Sequence, residues 1–392
     1  MAEPREVSDD PASAGEPKPP GSDAAEPRAI AHGAAIMPRD FSISLAAKGG
    51  TDTLLRHPGG ERAQPMRGFE DHYVDIIDYI VRITHRIWEE KDIGYIYDTY
   101  RHNSRVYDDF GLQYGNEKIV ADTAHTINAF PDIRLYADEI IWAGDDEIGF
   151  HTSHRTVISG HNTGYSKFGP PTGNNVTLWC IANCVSLENE IFAEWVSYDT
   201  AGLVRQLGFD LRETARRLGN AMAEAELEDP RFGEAERLPG QGKPARLLPR
   251  EESGFDVEEF TRRNWHNIWN RRSLRDVTRS YDPSLVCRAS TGRVIYGRGE
   301  YQSFILGMLA MFPDAMLQID DIYWMGNDDD GYLVSVRWSL VGTHRGYGVY
   351  GAPTGRRVNM WGIAQQQIKD GAIQKEWLLF NEFGVMQQIY RD

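Results

Sequence analysis

The chain has 392 residues, 41% of them apolar, and a formal net charge of −16. That length is comfortable for two cores, and the acidic balance argues against a nucleic-acid surface or an anionic membrane as partner. Three cysteines give neither a disulfide framework nor a zinc pattern. No window reaches the roughly 18 apolar residues of a membrane span, and no apolar signal core opens the chain, so a cytoplasmic location is expected.

Residues 1–66 are rich in Pro, Ala, Gly and acids and are expected to be a disordered tail. Within them Phe41, Ile43, Leu45, Leu54 and Leu55 suggest a short segment docking on the body. From Phe69 the pattern becomes helical: Phe69, Tyr73, Ile76, Ile80, Ile83 and Ile87 recur at three and four residues, as far as about Asp92. A short helix over Ile93 to Tyr100 follows, then RVYDDF and a Gly-bounded turn. Next comes a helix from about Glu117 to Phe130 that Pro131 stops. Four strand-like runs come next: IRLYADEIIWAG, EIGFHTSHRTVIS, VTLWCIANCVSLEN and EIFAEWVSYDT. Helices followed by an antiparallel meander predict an α+β domain over 67–210, with helices packed on one face of a curved sheet. Residues 211–254 read as a helix and then a Pro/Gly/charge-rich linker.

The unit then begins again, over 255–392. Gly160 to Leu207 is rewritten as Gly342 to Ile389 at a constant offset of 182. Pro171-Thr172-Gly173 falls on Pro353-Thr354-Gly355, Trp179 on Trp361, Glu194-Trp195 on Glu376-Trp377, and Gln206 on Gln388. Further back, Trp88 falls on Trp269, Tyr100 on Tyr281 and Phe130-Pro131-Asp132 on Phe312-Pro313-Asp314. Two positions of chemical interest break the match: His154 becomes Val336 and Asp199 becomes Asn381.

The G-x-H-x-G loop, the P-T-G turn and the E-W-x-x-x-D ending resemble the SnoaL-like polyketide cyclase family, of the nuclear transport factor 2-like superfamily. The pattern occurs in two tandem copies. The resemblance implies two cone-shaped α+β barrels, each with a pocket on the concave face of its sheet. Cones of this type often pair through their sheets, so the two domains are expected to pack on each other; a homodimer is also open. A fold of this kind hosts many chemistries. The resemblance places the family's catalytic acid at Asp199, partly desolvated near Trp195, Phe168 and Tyr165. From the residues alone Asp199 reads equally as the cap of the turn that follows. His154 is the proposed proton partner, since both it and Asp199 are lost in the second copy. Arg155 either pairs with Glu194 or holds a substrate oxyanion. Trp179, Trp195, His161 and His344 complete the expected binding set. The first domain is thus expected to be catalytic and the second supporting. Asp199→Asn, which copies Asn381, is expected to spare the fold and abolish turnover. No metal constellation and no dinucleotide fingerprint are legible, so no cofactor is expected. The expected function is cofactor-free cyclase, isomerase or lyase chemistry next to a carbonyl of a small molecule. A tandem binding module and a hydrolase activating water with Asp199 stay open.

Overall fold

The computed structural model describes residues 26–27, 41–57, 59–224 and 255–392. Most of the expected tail (1–40) and the Pro/Gly-rich part of the linker (225–254) lie outside the described residues. In the first half the elements are α1 (Thr51–Arg56), α2 (Ile76–Trp88), α3 (Ile96–Thr99), β1 (Tyr100–Asp108), β2 (Gly111–Tyr114), α4 (Asn116–Ala129), β3 (Arg134–Asp145), β4 (Gly149–His161), β5 (Asn175–Leu187), β6 (Glu190–Tyr198), α5 (Thr200–Leu207) and α6 (Leu211–Glu224). The second half runs α7 (Val257–Trp265), α8 (Arg275–Ser280), β7 (Tyr281–Ala289), β8 (Arg293–Tyr296), α9 (Gly297–Met311), β9 (Met316–Asn327), β10 (Gly331–Thr343), β11 (Arg357–Lys369), β12 (Ala372–Phe380) and α10 (Glu382–Tyr390).

Two six-stranded sheets result, ordered β2-β1-β6-β5-β4-β3 and β8-β7-β12-β11-β10-β9. The repeat is therefore a repeat of topology. The meander β3 to β6 is antiparallel as expected, but β1 and β2 add a hairpin that the four-strand reading lacks. β1 joins β6 in parallel register, Val106 opposite Glu194. Its sequence, YRHNSRVYD, is too polar and irregular to show a strand period of two.

One helix boundary also differs from the sequence expectation. α2 starts at Ile76 because Asp75 caps it, its carboxylate accepting from the Asp78 N–H at 2.9 Å. Phe69 and Tyr73 precede the helix and pack edge-on against Tyr79, with centroids 4.9 and 5.0 Å away. The disordered-tail expectation fails for the segment from Phe41 onward. Leu45 and Leu54 are buried, the Trp142 indole donates to the Ile43 carbonyl at 2.9 Å, and Lys48 pairs with Asp75 at 2.5 Å. Apolar residues spaced along a polar stretch gave it enough surface to dock.

The two sheets pack against each other through their convex faces. Ile181, Trp195, Trp361, Ile363 and Trp377 belong to a shared cluster flanked by Trp179. The contact is nearly two-fold: the Arg155 guanidinium lies 3.5 Å over the Trp377 ring and the Arg337 guanidinium 3.8 Å over the Trp195 ring. Gln365 crosses the junction to donate to the Ser153 carbonyl at 2.9 Å. Pairing of opposite copies in one chain gives the geometry of an isologous dimer.

Candidate active site

Strand alternation assigns one set of side chains to each face. On β4, His154, Thr156 and Ile158 point away from the second domain; on β5, Leu178, Cys180 and Cys184; on β6, Glu194, Val196 and Tyr198. With α2 and α4 closing over them they enclose a cavity of about 560 Å³, a size suited to a small organic molecule. Its wall is mainly aliphatic and aromatic, with Ile80, Ile87, Ile119, Phe110, Phe130 and Phe168 contributing.

Asp108, Glu194 and His154 are among the polar groups that interrupt that wall. Asp108 ends β1; its carboxylate accepts from the Phe110 N–H at 2.7 Å and the Gln113 amide at 3.1 Å. Burial raises its pKa, against the opposing pull of the nearby Lys167 charge. Glu194 on β6 accepts from the Tyr100 phenol at 3.0 Å, and burial lifts its pKa to about 6. His154 on β4 is 5% exposed, and its Nε2 has no hydrogen-bond partner. Burial lowers its pKa to about 4, so the ring is neutral at physiological pH. At the mouth stand Asp122 and His125 of α4 and the exposed Tyr165 and Lys167.

The sequence-derived set divides over this geometry. His154, Tyr165 and Phe168 line the cavity. Arg155, Trp179 and Trp195 are absent from it because their strand parity puts them on the convex face, in the domain junction. Arg155 there pairs with Asp138, its Nε 2.7 Å from the carboxylate; Glu194, the partner expected from sequence, faces the other way. Asp199 also lies outside the cavity lining. It caps α5 through the Gly202 N–H at 3.1 Å and accepts from the Gly292 N–H at 2.8 Å and from the Thr291 N–H, both in the β7–β8 turn. Burial raises its pKa while those three N–H groups hold it down. Asp199 and His154 therefore do not converge on one cavity, and the turn-capping reading of Asp199 describes its contacts.

His161 is half exposed and binds Asp132, with 2.6 Å between Nδ1 and Oδ2. His344 stands where Asn162 stands in the first copy. Asn162 accepts from the Thr172 N–H at 2.9 Å, and His344 contacts the Thr354 hydroxyl at 3.2 Å. Both order the P-T-G turn. Sequence reasoning missed Asp108, and it gave Glu194 only as a possible partner of Arg155. The signal that could have found Asp108 is the offset of 181 that puts Tyr100 on Tyr281: it puts Asp108 on Ala289, so the acid is lost in the second copy. Among the described residues no three His, Cys, Asp or Glu side chains converge to hold a metal ion, and no helix is long and apolar enough to cross a membrane.

Comparison with known proteins gives a match for part of the chain. Residues 259–389 match the family model of the SnoaL-like polyketide cyclases. Similar solved structures include a protein from Jannaschia sp. CCS1 assigned to those cyclases, 14% identical, covering 36% of this chain and 99% of its own, with a TM-score of 0.31. Wild-type IdmH from Streptomyces antibioticus, assigned as a polyketide cyclase, is 21% identical over 33% of this chain and 96% of its own, with a TM-score of 0.29. A further assigned cyclase, from Acidithiobacillus ferrooxidans, is 18% identical over 34% and 92%, with a TM-score of 0.30. None of the curated proteins compared with the chain matches it. The second domain thus carries the match to the SnoaL-like polyketide cyclase family, and the first domain repeats its strand order.

Proposed function

We propose that the first domain performs cofactor-free acid–base chemistry on a small, largely apolar carbonyl compound, and that the second domain supports it. One observation carries this reading. The polar groups Asp108 and His154 occur in the copy that holds the cavity, and the other copy has Ala289 and Val336 at those positions. Glu194 is different: its counterpart Glu376 is buried too, taking a 2.6 Å hydrogen bond from Gln366. A carboxylate there serves the fold in both copies, and in the first it secures β6 to Tyr100.

Asp108 is the proposed base in place of Asp199, whose lone pairs are committed to backbone N–H groups. It would take a proton from carbon next to the carbonyl. A raised carboxyl pKa brings that transfer closer to neutrality. His154, neutral and with Nε2 unpartnered, would donate to the oxygen on which enolate charge develops, in the Nε2–H tautomer. The enolate then takes the proton back at another carbon (isomerisation), attacks a second carbonyl carbon whose oxygen takes the proton (ring closure), or expels a β leaving group that takes it (elimination).

The test uses a bicyclic aromatic ketone, tetralone, incubated with the full chain in D2O, with α-proton exchange read by NMR. Wild type is expected to accelerate exchange. Asp108→Asn should lose roughly 10²–10⁴ of that rate, His154→Val less, and Asp199→Asn little per folded molecule. Wild-type exchange in folded Asp108→Asn would overturn the assignment.

A further inference from the structure

The two domains also grip each other where α5 and α10 begin, and the two grips differ. In the first domain the turn after β6 presents Asp199 to the Thr291 and Gly292 backbone. In the second, the same turn presents Phe383 to the β1–β2 hairpin. Its counterpart in the first domain, by the 182 offset, is Ala201. Phe383 is fully buried. Its ring centroid lies 6.0 Å from Phe110 and 6.0 Å from Phe168, and those two rings are 6.0 Å apart. Phe110 and Phe168 both line the cavity of the first domain. Phe383 stands behind them, on the second domain.

Further contacts run through the same triad. Lys167 Nζ lies 3.7 Å over the Phe110 ring, so that ring has the cation on one side and Phe383 packed against it. The Arg217 guanidinium of α6 donates to the Phe168 carbonyl at 2.8 Å, and α6 packs along α10. The mouth loop that carries Tyr165, Lys167 and Phe168 is therefore fastened from outside its own domain. Aromatic rings in such a cluster have few alternative packings. The second domain keeps a bulky residue at a position where the first has alanine, and the space it fills adjoins a cavity that is not its own.

We propose that Phe383 is a positioning residue: the second domain uses it to hold Phe110 and Phe168 in place and so sets the shape of the first domain's cavity mouth. This rests on the cavity being a ligand site and does not depend on the chemistry done there. Held by Phe110, Lys167 keeps its charge near Asp108, whose other charged neighbours are Asp109, Asp122 and Glu194. The second domain thereby reaches the carboxylate through two side chains.

Amide hydrogen exchange on the full chain tests this without a substrate. Phe383→Ala should raise exchange about tenfold or more in residues 108–114 and 161–172, with β10 and β11 unchanged. Phe383→Leu, which still fills the space behind Phe110, should restore protection to near wild type. A second arm uses the fluorophore anilinonaphthalenesulfonate as a cavity probe. Its affinity should fall about tenfold in Phe383→Ala and recover in Phe383→Leu. Should the alanine variant fail to fold, Phe383→Val supplies the intermediate loss at the same two segments. Exchange that rises uniformly over the second domain, or a mouth unchanged in all variants, would overturn the proposal. Failure of the ketone exchange assay would not, because neither arm reads catalysis.

Discussion

The two domains share a strand order and differ in what fills the concave face. In the first, Thr84 of α2 and Thr156 of β4 face open space. The second has Trp265 and Trp338 at those positions, both buried, with ring centroids 6.0 Å apart. Trp338 also packs on Phe380, the counterpart of Tyr198, at 6.2 Å. Opposite Trp338 the second domain has Gly362 where the first has Cys180. A Cβ on Gly362 would meet Trp338 at 2.8 Å and the Leu379 carbonyl at 2.3 Å. Polar lining follows the same division: Asp108, His154, Asp122 and His125 correspond to Ala289, Val336, Phe304 and Gly307. One fold thus supports a hollow, polar-dotted interior or one into which two tryptophans pack. The hollow copy forgoes the burial of two indoles, on the order of 4–6 kcal/mol each by area. That is a large sacrifice of stability for a domain.

Making the first domain resemble the second should have the largest effect. Thr156→Trp with Cys180→Gly copies the packing that closes the second interior. The double variant is expected to fold and to lose anilinonaphthalenesulfonate binding by more than about a hundredfold, measured by titration. Thr156→Trp alone should be strained, since the Cys180 side chain occupies the space the ring needs. The reverse change comes next. Trp338→Ala should cost about 3–5 kcal/mol in denaturant unfolding, because the rigid surroundings leave a cavity. An unchanged midpoint would mean that the second interior is not packed as described.

His154 gives a pH test of the same contrast. Its native pKa lies near 4, below the usual 6.5. The neutral form is favoured on folding, so the stability it contributes is full above about pH 6.5 and is lost as pH falls toward 4. That shift corresponds to about 3 kcal/mol. His154→Val, the residue the second domain uses, should flatten the acid side of the stability profile by that order; an unchanged slope would place the proton elsewhere. Asp199→Asn comes last, at about 2 kcal/mol in unfolding free energy. The amide turns an NH2 toward N–H groups that now meet a carboxylate. Asn381 is no precedent, since its Oδ1 accepts from the Trp361 N–H at 2.9 Å. Rate per folded molecule should hold; a large rate loss with full stability would return Asp199 to the chemistry.

The repeat, the meander and the division of each strand into two faces were all legible in the chain. Period-two alternation and matched turn residues depend on neighbours in sequence, so the 182 offset alone carried them to the second copy. Strand alternation groups Trp195 with Ser197 and Glu194 with Val196 and Tyr198. Which group faced the cavity was decided by docking: both convex faces carry tryptophan and arginine, and burying them against each other left Glu194 on the hollow side. Asp108 was hidden for a different reason. It sits on a strand whose partner, β6, is more than eighty residues away in parallel register, and nothing local marks such a pairing. Asp199 shows the same limit. Its cap on α5 is readable from the residues that follow, but its grip on Thr291 and Gly292 exists only because two domains meet. Short-range spacing determined the elements and their duplication; what fills each concave face, and the cross-domain contacts of Asp199, were decided by contacts that close only in the folded tandem.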